Sequence, residues 1–357
     1  MMASARVSAC RTKRLDLRLA SLDRPEDKSM TMQRRTLIKG ALCLSLCGAA
    51  GSTVAAAQTW PTRPVKFIVS LGPGSGTDVG ARLLADRLTA RWGQPVVVEN
   101  RPGGDAVVAI SAFIGARDDH VLLYTPTSSF TAHPYQLDKL PYDPRELSPV
   151  ARVSNTIIGF VVSPALNIGP LADFIALIRR EPGKVNYSTG TGRSDLIYDG
   201  YFKSAGLTVT RVPYRDVVGP MTDLGENRIQ AYIAGLSIML PHMQAGRAKL
   251  VAITNRARAA IQPDTPTIAE AGFPALTFDG LIGIFGQRSM TVFARKRIAA
   301  DIRDVLAEPV IAARFHAMGA VVSPGDGDEF AAELEGERAK LAETAKVLGL
   351  KPHAGKE

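Results

Sequence analysis

Cysteine is nearly absent. The 357-residue chain has three, Cys10, Cys43 and Cys47, all before residue 48. Everything downstream therefore lacks disulfides, thiol nucleophiles and cysteine-based metal sites. A chain of about 300 residues can still bury a core large enough to hold itself together. Histidine is scarce too: His120, His133, His242, His316 and His353 show no metal-ligand spacing. Charge of one sign is missing from the main body. Residues 1–57 hold ten Lys/Arg and four acids, so only +3 of the formal +9 belongs to residues 58–357. That removes the charge argument for nucleic acid.

A long apolar run is also missing. Met32 to Gly40 (MQRRTLIKG) leads into ALCLSLCGAAGSTVAAA, which is broken by Ser, Gly and Thr. A spanning helix needs about 20 apolar residues. The layout is instead that of a secretory signal, with a charged start, a short apolar middle and a small-residue end. Cleavage is expected after Ala57, making residues 1–57 a leader and the mature protein periplasmic. Arg34-Arg35-Thr36-Leu37-Ile38-Lys39 fits a twin-arginine signal as well as general secretion. Leu precedes both Cys43 and Cys47 where a lipoprotein needs a small residue. Met30 and Met32 are alternative starts.

What is present is alternation. Val65–Val69, Gln94–Glu99, His120–Tyr124, Ile157–Ser163, Val185–Ser188, Val209–Val212, Ile229–Ala234, Leu250–Thr254 and Ile282–Phe285 read as strands. Helices are expected from Val79, over Ala106–Gly115 and Pro170–Arg180, up to Ala205, near Pro220–Leu224, and over Ala294–Leu306 and Asp328–Leu348. Leu171, Phe174, Ile175 and Ile178 fall on one helical face. Short apolar runs between helices predict an α/β fold with parallel sheets. Three polar or glycine-rich loops follow strand ends, at 70–78, 125–131 and 188–195. Open α/β sheets bind ligands at such edges.

The first of these loops, SLGPGSGTDVGAR from Ser70 to Arg82, invites a nucleotide reading. Gly72, Gly74 and Gly76 give G-x-G-x-G, and Glu99 ends the next strand. The dinucleotide fingerprint needs another glycine where Thr77 stands, and no G-K-[ST] is present. The other readings of the loop are a carboxylate site or a plain strand–helix turn. Backbone amides at a helix start point at an anion, the helix dipole favours it, and glycines allow close approach. Ser75 and Thr77 add hydroxyls. Asp78 reads as the cap or first-turn residue of the helix, and is carried among the site candidates.

An ordered series of segments covers nearly all of the mature chain. It runs from Trp60-Pro61-Thr62-Arg63-Pro64 through Gly74-Ser75-Gly76-Thr77-Asp78 to Gly93-Gln94-Pro95-Val96-Val97-Val98-Glu99-Asn100-Arg101-Pro102-Gly103. Leu140-Pro141-Tyr142-Asp143-Pro144, Pro182-Gly183-Lys184-Val185-Asn186-Tyr187, Val212-Pro213-Tyr214 and Leu240-Pro241-His242 follow. It ends with Pro263 to Gly272 and Gly283-Ile284-Phe285. In this series the chain resembles the Bug family, the substrate-binding proteins of tripartite tricarboxylate transporters. The resemblance implies a type II periplasmic binding fold, two α/β lobes with a ligand cleft between them. One lobe is expected at 60–158 plus 283–357, the other at 159–282. It also implies a small organic carboxylate as ligand, membrane transporter subunits as partners, and a monomer without cofactor or metal.

The site candidates are Gly74, Ser75, Gly76, Thr77 and Asp78 on the first loop and Thr127, Ser128 and Ser129 on the second. Thr189, Gly190, Thr191, Gly192 and Arg193 stand on the third, with Tyr214 as a residue that could close the cleft. Arg193 could pair bidentately with a carboxylate. No nucleophile–base set is visible, so binding rather than catalysis is expected. An exported cofactor-binding oxidoreductase and a ligand-sensing partner of a membrane kinase are the alternatives. The chain departs from the family pattern in four places. Ser75 follows Gly74 where Gly-Gly is usual. Asp195 to Phe202 lacks the usual His and Glu, Ala234-Gly235-Leu236 lacks an Asp, and Arg117-Asp118-Asp119-His120 replaces a Pro-Asp-Gly-Tyr turn. These changes point to a more apolar pocket near Tyr198, Tyr201 and Leu236, suited to an aromatic or hydrophobic acid.

Overall fold

The computed structural model describes residues 59–353. The leader, its cysteines and the Ala57 cleavage point lie outside the described residues. Residues 58–357 form a compact unit of their own.

Two sheets organise that unit. The first has strand order β11-β4-β10-β3-β1-β2. Its members are β1 (Val65–Val69), β2 (Val96–Asn100), β3 (Val121–Pro126), β4 (Leu147–Thr156), β10 (Gly280–Gln287) and β11 (Ala320–Gly325). The second has order β7-β6-β8-β5-β9. It comprises β5 (Ile158–Val162), β6 (Asn186–Thr189), β7 (Thr210–Arg211), β8 (Ala231–Gly235) and β9 (Lys249–Ile253). Each sheet with its helices is one α/β lobe.

The sheets are mixed, not parallel throughout. β1 pairs in parallel with β2 and β3, but β10 runs antiparallel to both β3 and β4. Likewise β6 is parallel to β7 and β8, while β5 is antiparallel to β8 and β9. The cause is the path of the chain. A single residue, Ile157, separates β4 in one sheet from β5 in the other, so one extended stretch crosses between lobes. The return crossing enters β10 at Gly280.

Alternation along the strands splits each core in two. Phe67 and Val69 of β1 pack on one face with Trp92, Ile298 and Phe315, while Ile68 packs on the other with Phe113, Phe130 and Phe330. In the second lobe Phe160 and Val162 face Phe174 and Ile178, and Val161 faces Met221 and Met239. Successive strand side chains point to opposite faces, so sheets covered on both sides read as continuous apolar runs. Each fully buried aliphatic or aromatic side chain contributes about 1.5–3 kcal/mol.

The helices are α1 (Gly76–Trp92), α2 (Val107–Ala116), α3 (Thr127–Gln136), α4 (Leu171–Arg180) and α5 (Gly192–Ser204). They continue with α6 (Gly219–Gly225), α7 (Leu236–Gln244), α8 (Val292–Leu306), α9 (Pro309–Ala317) and α10 (Gly327–Leu348). Two differ in kind from the sequence reading. Residues 125–131, expected as a polar loop, end β3 and begin α3. Leu240-Pro241-His242, expected as a turn, lies inside α7. Both helices carry an internal proline, Pro134 and Pro241. Tertiary packing offsets the lost hydrogen bond: Phe130 and Ala132 of α3 and Leu236 and Met239 of α7 are buried. The sequence reading also misses β4, β11 and α9. β4 pairs with β10 through register shifts that break its alternation, and β11, with Pro324, sits at a sheet edge where proline is tolerated.

Helix α10 is shared. It belongs to the first lobe, yet Leu341 packs with Ala132 of α3 and Leu196 of α5, so three helices meet across the lobe boundary.

Candidate functional site

Four helix starts converge between the sheets. α1 and α3 follow strands of the first lobe; α5 and α7 follow strands of the second. They enclose a cavity of about 60 Å³. Ser75, Gly76 and Thr77 come from α1, Ser128 from α3, Thr191 and Ser194 from α5, and Ser237 and Ile238 from α7. Thr156, Ile158 and Gly280 from the two crossings line the same cavity, and Leu71, Pro126, Val217 and Ala234 supply apolar walls. Among the described residues no charged side chain lines it.

The lobes touch closely where α1 meets α7. A Cβ on Gly76 would lie 2.7 Å from Ser237 Oγ, so only glycine allows this approach. The first amides of any α-helix have no acceptor within the helix. Those of α3 and α7 also receive no side-chain cap from Pro126 or Gly235, although the Leu236 amide meets the Ile157 carbonyl and the first amide of α5, Gly192, meets the Asp105 carboxylate. Together with the summed helix dipoles, this makes a pocket of positive potential without a cation. An anionic group entering it meets amides and seven hydroxyls. Charge-assisted bonds of that kind are the stronger class.

A second cavity of about 120 Å³ adjoins the first, sharing Leu71, Gly190, Thr191 and Val217. It is the polar end. Asp105, Asp195, Asp216, Arg211 and Arg215 line it, with Thr189, Gly192 and Tyr214. Arg211 is committed to Asp195 at 2.9 Å and Asp199 at 3.1 Å. Burial pushes the Asp195 carboxyl up to about 6, against the hydroxyl of Thr189 and the charge of Arg211. Larger clefts of about 440 and 730 Å³ lie elsewhere, but only first-lobe residues line them.

The sequence-derived candidates separate accordingly. Ser75, Gly76, Thr77, Ser128, Gly190 and Thr191 meet at the inner cavity. Thr189, Gly192 and Tyr214 face the outer one, where Tyr214 donates to Asp223 at 2.5 Å. Gly74, Asp78, Thr127, Ser129 and Arg193 line neither cavity. Ser75 itself is occupied: its hydroxyl donates to the Gly72 carbonyl at 2.8 Å and accepts from the Asp78 amide at 3.2 Å. Asp78 is buried and ties the loop together, accepting from the Gly74 amide, Arg82 and Asn100. Burial opposes its ionisation, but Arg82, the Gly74 amide and Asn100 outweigh that and hold its carboxyl below the usual value.

Arg193 points away from both cavities. It pairs with Glu337 of α10 and lies over the Phe278 ring, 5.6 Å from its centroid. Glu337 also accepts from Thr127 at 2.5 Å, so one carboxylate braces the starts of α3 and α5 from behind. Tyr198 and Tyr201 do not build the pocket either. Tyr198 is fully buried in the second-lobe core between Phe160 and Phe202, and Tyr201 packs on Phe273. The apolar wall comes instead from Leu71, Ile158, Val217 and Ile238. These, with Ser194 and Ser237, escaped the sequence reading. The usable signal was Gly235 followed by Leu-Ser-Ile, a strand end running into a helix.

A pair of α/β lobes exchanging two chain crossings, with a gap between them lined by helix starts, is the architecture of a two-lobed periplasmic solute-binding protein. The family model for the tripartite tricarboxylate transporter family receptor matches residues 80–346. The chain belongs to that family, the Bug-type receptors. It is 30% identical to a UPF0065 protein of Bordetella bronchiseptica over 89% of this chain and 94% of that one. It is 29% identical to BugT of Bordetella pertussis over 74% of this chain and 82% of that one. Among solved structures, it superposes on a Rhodopseudomonas palustris protein bound to adipate with a TM-score of 0.76 and 26% identity. That match covers 82% of this chain and all of the other. The malate-bound MatC from Rhodopseudomonas palustris has the same fold, with a TM-score of 0.73 and 21% identity over 80% of this chain and 99% of that one.

Proposed function

We propose that this receptor captures a small organic carboxylate, with one carboxylate in the inner cavity and an apolar body along Leu71, Ile158, Val217 and Ile238. The observation that carries this reading is the convergence of four helix starts, two of them without a side-chain cap, on a cavity free of charged side chains. Adipate is the first candidate: a flexible methylene chain suits those walls, and a structural relative at 26% identity is solved with it. The inner residues are Gly76, Thr77, Ser128, Thr191, Ser194 and Ser237.

The lobes, 60–158 plus 283–357 and 159–282, close on the ligand by hinging at the two crossings. The exported chain, starting after Ala57, works in the periplasm as a monomer and hands its ligand to membrane subunits of a tripartite transporter. Its chemistry is binding, since the inner cavity offers amides and hydroxyls and no general base.

Thermal unfolding of residues 58–357 against a panel of carboxylates and nucleotides tests this. Binding at a hundredfold excess over Kd stabilises by about 2.7 kcal/mol. A shift with adipate or another carboxylate is expected. A shift with nicotinamide nucleotides and none with any carboxylate would overturn the reading.

A further inference from the structure

The turn before α2 is conformationally unusual. Gly103, Gly104, Asp105 and Ala106 all have positive φ, at 120°, 57°, 47° and 74°. Two of the four are not glycine, and residues with a Cβ rarely adopt this region. Strain of this sort persists only where the surroundings over-determine it, and it concentrates at functional sites.

Here the surroundings belong to the opposite lobe. The turn projects the Asp105 carboxylate onto the start of α5, where Oδ2 accepts from the Gly192 amide at 2.9 Å. From α3, Gln136 Nε2 donates to the Gly192 carbonyl at 3.1 Å. Gly192 is thus held at both its amide and its carbonyl by first-lobe side chains. A Cβ there would lie 2.2 Å from Gln136 Oε1 and 2.4 Å from Asp105 Oδ2. The grip is supported from behind. His133 Nε2 donates to the Asp105 carbonyl at 2.8 Å, and His133 Nδ1 accepts from the Tyr142 hydroxyl at 2.6 Å. A carbonyl can only accept, so this fixes the neutral tautomer, and burial pushes the His133 ring down to about 4.

We infer that Asp105 is a positioning residue, an internal carboxylate that takes the α5 start and latches the two lobes in the closed arrangement. The inference rests on the two-lobed receptor reading for its functional meaning. It assigns the Gly192 amide to lobe closure rather than to ligand. A ligand carboxylate is then left to the other helix starts.

The test uses residues 58–357, which contain no cysteine. Val310→Cys on the first lobe and Lys184→Cys on the second, both at exposed sites, take spin labels whose separation is read without ligand. Into this background go D105G and D105N. D105G removes the carboxylate and relieves the positive φ, so it should melt at or above the parental temperature. Its label distribution should nevertheless gain a longer, open population, and its Kd for adipate should rise about tenfold. D105N keeps an acceptor oxygen and should retain the parental distribution. A parent already fully open, or a D105G distribution identical to the parent, overturns the latch. So does a D105G that melts well below the parent with its distribution unchanged, which would mark Asp105 as merely structural. Silence of the parent toward adipate and other carboxylates would count against the ligand reading alone, because the label distances decide the latch independently.

Discussion

Helix starts in this protein come in two kinds, and α3 and α7 at the cleft differ from α8 and α10 on the outside. On the outside, α8 and α10 begin with side-chain caps. Thr291 accepts from the Ala294 amide, and Asp326 forms a full capping box with Glu329. At the cleft, α3 and α7 begin without a side-chain cap and without an acid in the first turn. The division is not complete: α1 at the cleft is capped by Ser75 with Asp78 in its first turn, and outside the cleft α2, α4, α6 and α9 have no side-chain cap from their N-cap residues. At α3 and α7 the side-chain cap is left out where an anion can take its place. Such local departures are expected at functional sites.

The contrast can be broken deliberately. The largest effect on affinity is expected from Ser128→Asp, which places an acid in the first turn of α3 facing the inner cavity. The helix-dipole gain of about 0.3–1 kcal/mol is offset by burial of the new carboxylate at a position only 5% exposed, while carboxylate affinity should fall about a hundredfold or more through like-charge repulsion. Melting and titration calorimetry on the same variant separate the two. Next comes the brace behind the cleft. Glu337→Ala leaves Arg193 buried and unpaired and should cost about 3–5 kcal/mol of stability, read by urea unfolding. Replacing Arg193 and Glu337 together with apolar residues should recover most of it.

The outer kind of start provides the matched control. Asp326→Ala should cost about 1 kcal/mol and leave carboxylate affinity unchanged. If affinity fell in step with stability, the contrast would mean nothing functionally.

The smallest effect is a pH dependence. Burial raises the Asp105 carboxyl to about 6, against the Gly192 amide. Asp195 is raised to about 6 as well, and burial lowers His133 to about 4. For the two acids the folded value lies above the unfolded one. Their charged forms therefore weaken the fold above about pH 6, and stability returns as pH falls toward 4. His133 acts oppositely in nearly the same window. It binds a proton when unfolded and resists one when folded, so stability drops as pH falls from 6.5 toward 4. The two acids outweigh the one histidine, so the trends offset only in part, tempered because 31% of the Asp105 side chain faces solvent. D105N removes one acid from this balance. Relative to the parent it should lose stability between pH 7 and pH 4.5, which chemical denaturation at the two values checks.

The same contrast explains what the sequence revealed. Strands buried on both faces and the amphipathic α4 announce themselves by periodicity, so the α/β class was legible. So were Ser75, Gly76, Thr77, Ser128, Gly190 and Thr191, since polar or glycine-rich residues after strands are recognisable on their own. The helices α3 and α7 were not legible. Each lacks a cap, carries an internal proline, and starts with residues that read as loop or turn. Absent caps hid the elements that form half of the site. Arg193 and Tyr198 misled for the opposite reason. Their chemistry suggested a ligand, but packing across α10 and within the second core had already claimed them.

Titration calorimetry of residues 58–357 and of Ser128→Asp with adipate and related carboxylates tests the central claim most directly. An anion site built from uncapped helix starts predicts binding to the parent and about a hundredfold weaker binding to the variant. Equal affinity in the two proteins, or no carboxylate bound by the parent, would contradict it.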